Sequence, residues 1–214
     1  MNAEVTHSAY GMTECTSLTT TTFPFVDSFD DITSTVGRPS WGTEVIVVDD
    51  DDVEVPRGTP GELFVRGYNV MQAYWQEPEK TAETITPDGW LRTGDIGVMD
   101  DRGFVKITDR KKDVIFVGGF NVYPAEVERI LGEHPQVDAI AIVGAPDERL
   151  GEVPVAFVQA SSGSGLTEAV FLEWASQHIS NFKAPRRAIM IDDLPRNASM
   201  KVLKKDLRTQ LKNN

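Results

Sequence analysis

Short apolar runs alternate with turns along the first part of the chain, from residue 1 to about residue 108. The run from Thr43 to Val48 has aliphatic side chains at consecutive positions, so this strand is expected to be covered on both faces. The predicted elements are strands at Thr43–Val48, Glu62–Arg66, Trp90–Val98 and Gly103–Ile107, and a proline-initiated helix at Pro78–Thr84. Together they predict a small antiparallel sheet or barrel.

From Asp113 onward the pattern becomes a mixture of strands and helices. Phe171, Leu172, Ala175 and Ile179 recur at helical spacing, and Thr167 stands where an N-cap is expected. The predicted elements are strands at Val114–Val117, Val137–Val143, Val153–Gln159 and Arg187–Ile191, and helices at Pro124–Leu131, from Thr167 to about His178, and at Lys204–Leu211. The fold class is therefore α+β, with a small antiparallel sheet or barrel followed by a small α+β domain.

A short charged segment, Asp109–Asp113, joins these two regions. It is a candidate hinge, because residues at the ends of elements can absorb a change in backbone angles. A static exposed turn is the alternative, which charge alone does not exclude.

Composition narrows the range of functions. The chain has 214 residues, 40% of them hydrophobic, and a formal net charge of -12, which fits a soluble globular protein and argues against general nucleic-acid binding. Its single cysteine, Cys15, excludes an internal disulfide, and His7, His134 and His178 lack the spacing of a metal site. No apolar run is long enough to span a membrane and no secretory signal is present. The single cysteine fits a reducing compartment, so a cytoplasmic protein is expected.

Two further segments stand out by composition or position. The acidic run Asp49–Asp52 could be a calcium site, but no EF-hand-like spacing or glycine comes after it, so a solvated turn between strands is favoured. At the start of the chain, Met1–Val5 leads almost at once into a dense motif. We therefore expect the chain to begin midway through a larger fold.

Three local motifs carry residues suited to nucleotide chemistry. Tyr10–Glu14 combines an aromatic ring that can stack on a base, a glycine, a threonine that can bond phosphate and a glutamate that can hold Mg²⁺, although it could be an ordinary loop. Gly89–Asp95 ends in an aspartate that can accept both hydroxyls of a ribose, or else bond its own backbone in a turn. The third motif is the charged Asp109–Asp113 followed by Gly118–Glu128, where a glycine turn leads into a helix opened by proline.

In this order and spacing, the three motifs resemble the later core motifs of the adenylate-forming superfamily, which includes acyl-CoA synthetases, aryl-CoA ligases, luciferases and peptide-synthetase adenylation domains. Pro195–Lys205 resembles the last motif of that family, and Gly144–Pro154 is typical of its acyl-CoA and aryl-CoA branch. The resemblance covers essentially the whole chain. It implies that residues 1–109 are the C-terminal part of the large domain, that 110–113 form a hinge, and that 114–214 form a small mobile lid domain.

The resemblance also implies roles for residues of the first motif. Tyr10 would stack on adenine and Gly11 would border the acyl site. Thr13 would contact the α-phosphate of ATP, and Glu14 would bind Mg²⁺.

Further roles fall on the later motifs. Asp95 would hold the ribose hydroxyls with help from Arg110, and Lys112 occupies the hinge position of the family. The glycine turn Gly118–Gly119 would line the tunnel for the pantetheine arm of CoA. Lys201 would bridge the carboxylate and the α-phosphate during adenylation.

The role of Lys201 also has a physical basis. The reaction joins two anions, so a cation between them offsets their repulsion and stabilises charge developing on the α-phosphate. A lysine on a flexible loop supplies a point charge that can be withdrawn. Lys204 and Lys205, at the start of a predicted helix, are expected to be solvated.

The implied activity is that of an ATP-dependent fatty-acid or aryl-acid CoA ligase, which forms an acyl-adenylate and then an acyl-CoA. No glycine-rich phosphate loop with its own lysine is found in these 214 residues. We therefore expect the chain to be inactive alone and to need a missing N-terminal portion as its partner. The alternative is a non-enzymatic module that binds nucleotide or another protein.

Overall fold

The computed structural model describes residues 6–212 and divides the chain into two compact units, Met1–Lys111 and Lys112–Asn214. The division falls inside the charged junction between residues 109 and 113. The segment Met1–Val5, on which the expectation of a start midway through a fold rests, lies outside the described residues. Movement about the junction stays a prediction.

The first unit is built mainly from short strands. Its elements are β1 (Ala9–Tyr10), β2 (Thr20–Thr21), α1 (Phe29–Ser34), β3 (Arg38–Pro39), β4 (Thr43–Val48), β5 (Gly61–Gly67), α2 (Pro78–Thr84), β6 (Leu91–Met99) and β7 (Val105–Arg110). A 3₁₀ turn, Thr13–Cys15, comes after β1. The strand β4 and the helix α2 have the bounds that the sequence predicted.

These strands form two antiparallel sheets, one of three strands in the order β1-β2-β3 and one of four in the order β4-β5-β6-β7. The predicted antiparallel sheet is thus confirmed. The edge strands β4 and β7 do not pair with each other in the described part of the chain, so the four-stranded sheet is open and the barrel alternative is wrong.

The core of the first unit lies against the four-stranded sheet. Alternate residues of β4 and β5, among them Val45, Val47, Leu63 and Val65, form it together with residues of the next two strands. The expectation that β4 is covered on both faces holds in part, because Val48 is fully buried while Ile46 is only half-buried.

The acidic run after β4 is a turn. The Asp49 carboxylate accepts hydrogen bonds from the backbone N–H groups of Asp51 and Val53, both at 3.0 Å. Asp50, Asp51 and Asp52 are exposed, as expected of a solvated turn. No group of three or more potential metal-binding side chains is found among residues 6–212.

The second unit is an α+β domain. Its elements are β8 (Ile115–Val117), β9 (Phe120–Val122), α3 (Pro124–Leu131), β10 (Val137–Asp147), β11 (Gly151–Ala160), α4 (Glu168–His178), β12 (Arg187–Met190) and α5 (Lys204–Lys212). The strands form one sheet in the order β10-β11-β8-β9, with β12 added parallel to β11. Thr167 caps α4 by accepting from the Val170 N–H.

Each face of this sheet carries its own core. Ala156 and Val158 of β11 face a cluster that includes Val127 of α3 and Phe171 of α4. The alternate residues Val155 and Phe157 face a second cluster that includes Leu194 and, on α5, Leu207. The predicted helical stripe of α4 is confirmed, since Phe171 and Ala175 are buried. None of the helices in the part of the chain that is described is long and apolar enough to cross a membrane.

Candidate nucleotide site and lysine turn

Three predicted nucleotide-binding residues meet in the first unit. The Tyr10 hydroxyl, at the end of β1, donates a hydrogen bond to Asp95 Oδ2 at 2.7 Å. The Arg110 Nε lies 3.1 Å from Asp95 Oδ1. Asp95 and Arg110 are paired across β6 and β7, and Asp95 is only 5% exposed. The structure thus brings together side chains that are 85 positions apart in the sequence.

A bulge in β6 sets the orientation of Asp95. Between the pairs Glu62↔Ile96 and Phe64↔Arg92, the strand carries more residues than its neighbour, so Thr93–Asp95 bulges. Gly94 sits at a φ of 70°, a left-handed conformation that favours glycine. The Thr93 hydroxyl donates to the Leu63 carbonyl at 2.7 Å and accepts from the Asp95 N–H at 3.1 Å, which fixes the bulge.

Burial raises the pKa of Tyr10 well above its ordinary value, and the hydrogen bond and charge of Asp95 raise it further. Both effects favour the neutral phenol, because a phenolate would be desolvated and would face a carboxylate. Tyr10 therefore stays a donor to Asp95 at physiological pH.

The rest of the first motif forms a tight turn after β1. A side chain on Gly11 would come within 1.5 Å of the Ser17 carbonyl oxygen, so only glycine fits there. Thr13 is exposed at the start of the 3₁₀ turn. The Glu14 carboxylate is half-buried and accepts a hydrogen bond from the Tyr74 hydroxyl at 2.8 Å.

In the second unit, Gly118 and Gly119 form the two-residue turn between β8 and β9. Val117 pairs with Phe120, and the glycines have φ values of 56° and 88°, as a turn of type I′ requires. The Gly118 N–H donates to the Leu150 carbonyl at 2.8 Å, which holds the turn against the β10–β11 hairpin. Both glycines are exposed.

Lys112 is exposed in a 3₁₀ turn, Lys111–Asp113. The next residue, Asp113, binds Arg208 of α5 at 2.7 Å.

Lys201 lies on a turn between the last core strand and α5. Asn197 Oδ1 accepts from the N–H groups of Ser199 at 3.0 Å and Lys201 at 2.9 Å, and the Asn197 N–H donates to the Lys201 carbonyl at 2.9 Å. Arg196 and Val202 form a bridge at the base of the turn. The Lys201 side chain is exposed, and its ammonium makes no ion pair with any of the residues described.

Two family models match this chain. The model of the AMP-binding enzyme matches residues 2–75, and the model of the AMP-binding enzyme C-terminal domain matches residues 126–201. Together they span more than half of the sequence. The chain belongs to the AMP-binding enzyme family. The resemblance to adenylate-forming enzymes is thereby confirmed.

Relatives in this AMP-binding enzyme family are acyl-CoA ligases. The chain is 44% identical over 208 residues to a methyl-dioxo-octahydro-indenyl propanoyl:CoA ligase of Mycobacterium tuberculosis, covering 97% of this chain and 39% of the relative. It is 44% identical to a long-chain-fatty-acid–CoA ligase of Escherichia coli, covering 94% of this chain and 35% of the relative. The chain therefore spans well under half the length of these relatives.

Solved structures give the same family. The crystal structure of ATP-bound MatB from Rhodopseudomonas palustris is 38% identical, with a TM-score of 0.89, and the match covers 97% of this chain and 41% of that one. The predicted α+β fold is thus confirmed as that of an adenylate-forming enzyme domain.

The family resemblance implies a magnesium ion. Of the residues that it implies for the site, Glu14 is the carboxylate that could bind this ion. The described chain offers Glu14 but no cluster of three or more carboxylate, histidine or cysteine side chains. Mg²⁺ is commonly held by one or two carboxylates together with substrate phosphates and water. Glu14, fixed by Tyr74, therefore fits an ion that arrives with a nucleotide and not one held by protein ligands alone.

A buried acid, Glu62, supports the bulge of β6 in the first unit. Glu62 is 5% exposed; its Oε1 accepts from the Gly94 N–H at 2.9 Å, and its Oε2 accepts from Lys111 Nζ at 3.0 Å. Burial lowers the pKa of Lys111, but the hydrogen bonds and charges of Glu62 and Asp50 together outweigh this and raise it overall. Nothing in the sequence singled Glu62 out, because its partners are brought to it by the sheet.

One prediction about the last helix is wrong. Lys204 was expected to be solvated, but its Nζ lies 2.7 Å from Glu128 Oε1, and the two side chains are 17% and 22% exposed. The reason is tertiary, because the fold brings Lys204 within reach of Glu128 on α3, which the helical pattern alone does not show. Lys205 is exposed, as expected.

Proposed function

We propose that this chain is the C-terminal part of an ATP-dependent acyl-CoA synthetase, which converts a carboxylic acid, ATP and CoA into acyl-CoA, AMP and pyrophosphate. The observation that carries the proposal is the group formed by Tyr10, Asp95 and Arg110, where a buried carboxylate lies next to the aromatic ring proposed to stack on adenine. The acyl-CoA ligase relatives support the same reaction.

In the first half-reaction, a carboxylate oxygen of the acid attacks the α-phosphorus of ATP and pyrophosphate leaves. Asp95, steadied by Arg110, accepts hydrogen bonds from the ribose, and Tyr10 stacks on adenine. Its hydroxyl is already bound to Asp95, which limits the orientations of the ring. These contacts position the nucleotide, which reduces the entropic part of the barrier.

The phosphates are met by residues that come after Tyr10. Thr13 contacts the α-phosphate, and Glu14 would hold Mg²⁺, which would neutralise phosphate charge. Gly11 borders the acyl group. Lys201 places its ammonium between the carboxylate and the α-phosphate, where it stabilises the charge that develops on the phosphate oxygens.

In the second half-reaction, the CoA thiolate attacks the acyl carbonyl carbon and AMP leaves. The second unit turns about Lys112, which withdraws Lys201 and brings Gly118 and Gly119 to the path of the pantetheine arm. An added Cβ on Gly119 would meet nothing within 4 Å, so the backbone is open at this residue of the turn. A conformational step of this kind can limit turnover.

We further propose that the isolated chain needs an N-terminal portion of the enzyme as its partner. Phe23, Phe25, Val26 and Phe29 lie within one short segment, and their exposed fractions are 48%, 91%, 76% and 74%. Monomeric proteins rarely leave such a concentration of apolar side chains in water. A cytoplasmic location is part of this proposal, since the single cysteine, Cys15, is free and buried.

Pyrophosphate release tests the proposal. The isolated chain is incubated with ATP, Mg²⁺ and a panel of fatty and aryl acids, beside a chimera in which the N-terminal part of the Mycobacterium tuberculosis relative precedes this chain. We expect no turnover from the isolated chain and turnover from the chimera.

Two outcomes would overturn parts of the proposal. Robust turnover by the isolated chain would show that no partner is needed. A chimera that folds and binds ATP but releases no pyrophosphate, while the intact relative does so under the same conditions, would support a binding module instead of an enzyme.

A further inference from the structure

The turn that carries Lys201 leads directly into the last helix. Its own hydrogen bonds shape the segment from Asn197 to Lys201, and the Leu203 N–H donates to the Pro195 carbonyl at 2.8 Å. The chain then enters α5 at Lys204. A contact that holds the first residue of α5 therefore also acts on the Lys201 turn, three positions earlier in the chain.

Lys204 is held by Glu128 of α3. The distance from Lys204 Nζ to Glu128 Oε1 is 2.7 Å, and the same oxygen accepts from the Ile142 N–H of β10 at 2.8 Å. One carboxylate oxygen thus ties together α3, the long strand β10 and the start of α5. Because both side chains are mostly withdrawn from water, this pair differs from exposed ion pairs, which contribute little.

The place of Lys204 argues against a role in stabilising its helix. A cation in the first turn of a helix opposes the positive end of the helix dipole. Asp206, in the same turn, has the favourable sign. The ion pair with Glu128 therefore fixes the start of α5 at a site where a lysine is otherwise unfavourable for the helix.

The same face of α5 carries a second contact. Arg208 lies four positions after Lys204, which places both side chains on one face of the helix. Arg208 binds Asp113 at 2.7 Å, and Asp113 comes directly after Lys112. Within the second unit, α5 therefore links the Lys201 turn to the residue beside the proposed hinge.

We propose that the Lys204–Glu128 ion pair is a positioning device for Lys201. It fixes the end of the Lys201 turn against α3 and β10, so that the Lys201 ammonium is presented at a constant place when the acid and ATP react. The inference rests on the proposed function of Lys201 in adenylation. Lys204 and Glu128 are positioning residues and not catalytic ones.

The first test uses the isolated chain and does not depend on any activity. Hydrogen exchange of the backbone N–H groups of Lys201 and Leu203 is measured by NMR in Lys204→Met and in the matched control Lys205→Met, which changes an exposed lysine of the same helix. We expect Lys204→Met to speed exchange at both groups by about tenfold or more, as local opening becomes easier. Equal exchange in the two variants would overturn the positioning claim.

The second test measures the two half-reactions separately in the chimera. We expect Lys204→Met and Glu128→Gln to slow acyl-AMP formation by about tenfold, since a displacement of ~1 Å can cost up to ~10²-fold. Thioester formation from supplied acyl-AMP should change by less than about twofold. Lys204→Arg, which keeps the charge, should restore adenylation, and Lys205→Met should change neither half-reaction.

The outcomes separate the two proposals. Faster exchange in Lys204→Met with unchanged adenylation would show that Lys204 holds the turn. It would overturn the proposal that this hold matters for adenylation. An equal fall in both half-reactions with a lower melting temperature would show a merely structural pair. An inactive unsubstituted chimera would count against the proposed function, while the exchange experiment would still decide whether Lys204 holds the turn.

Discussion

At the scale of single residues, the Asp95 carboxylate lies almost entirely out of solvent with a donor at each oxygen. Tyr10 donates to one oxygen and Arg110 lies beside the other. A carboxylate oxygen can accept more than one hydrogen bond, so lone pairs remain for ribose hydroxyls. The hydrogen bond from Tyr10 therefore orients Asp95 and leaves it able to accept further hydrogen bonds from a nucleotide.

Removing the Tyr10 hydroxyl tests this arrangement. We expect Tyr10→Phe to lower the free energy of unfolding by about 1–3 kcal/mol near neutral pH, because a hydrogen bond to a buried charged group is lost. Urea unfolding followed by circular dichroism measures the difference. Tyr68→Phe is the control, since Tyr68 is 82% exposed, and it should change the free energy by less than ~0.5 kcal/mol.

The effect of Tyr10 should also depend on pH. Because the pKa of Tyr10 is raised in the folded state, the unfolded chain loses this proton first as the pH rises above about 10. The stability that depends on the neutral phenol is thus present below that pH and is lost above it. The difference between Tyr10→Phe and the natural chain should shrink there, and a constant difference would contradict the buried donor.

Some of these contacts could be predicted and some could not. The resemblance named Tyr10, Asp95 and Arg110 as residues of one site, and the structure places them together. The hydroxyl contact between Tyr10 and Asp95 was not predicted, because a role in stacking says nothing about the phenol oxygen. Tyr74 was missed because it reaches Glu14 across 60 positions of sequence.

At the scale of elements, pairing between β10 and β11 makes both strands longer than the sequence pattern predicts. The segment between Gly144 and Pro154 stands out in the sequence as a motif, but most of it belongs to the β10–β11 hairpin. Gly144 pairs with Pro154, and the Pro154 carbonyl accepts from the Arg186 N–H at 2.9 Å. Glycine and proline are both unfavourable in strands, so the local sequence does not predict a strand at these two positions. Pairing with the neighbouring segments keeps both residues in the sheet.

The helix α1 was missed for a different reason. It has only six residues and no apolar stripe, so periodicity could not show it. A signal was present in the capping pattern, because Ser28 accepts from the Asp31 N–H at 3.1 Å and its hydroxyl donates to the Asp31 carboxylate at 2.7 Å.

The bulge of β6 depends on Glu62 of the neighbouring strand. We expect Glu62→Gln to lower the free energy of unfolding by about 1–3 kcal/mol, because it leaves Lys111 without its buried anionic partner and weakens the contact that holds Gly94. Chemical unfolding measures this. Binding of AMP to the chimera, followed by calorimetry, should weaken as well, since Asp95, which is proposed to hold the ribose, comes directly after Gly94.

The matched control for this change is Glu54→Gln, because Glu54 is exposed and bridges to the end of β4 in the same sheet. It should leave both stability and AMP binding unchanged. If the two variants were equally stable, Glu62 would not support the bulge.

At the scale of the whole molecule, the sequence predicted two units because the apolar pattern changes at a charged junction. The division lies between Lys111 and Lys112, within the predicted hinge. Each unit has its own core. The chain spans well under half the length of its relatives. Aromatic side chains between Phe23 and Phe29 are exposed.

In the proposed mechanism, Lys201 serves adenylation and not thioester formation. The most direct measurement compares both half-reactions in the chimera carrying Lys201→Ala, with Lys205→Ala as the matched control. We expect acyl-AMP formation to fall by about 10²-fold or more, and thioester formation from supplied acyl-AMP to stay within about threefold of the unsubstituted chimera. An equal loss in both half-reactions would contradict the claim.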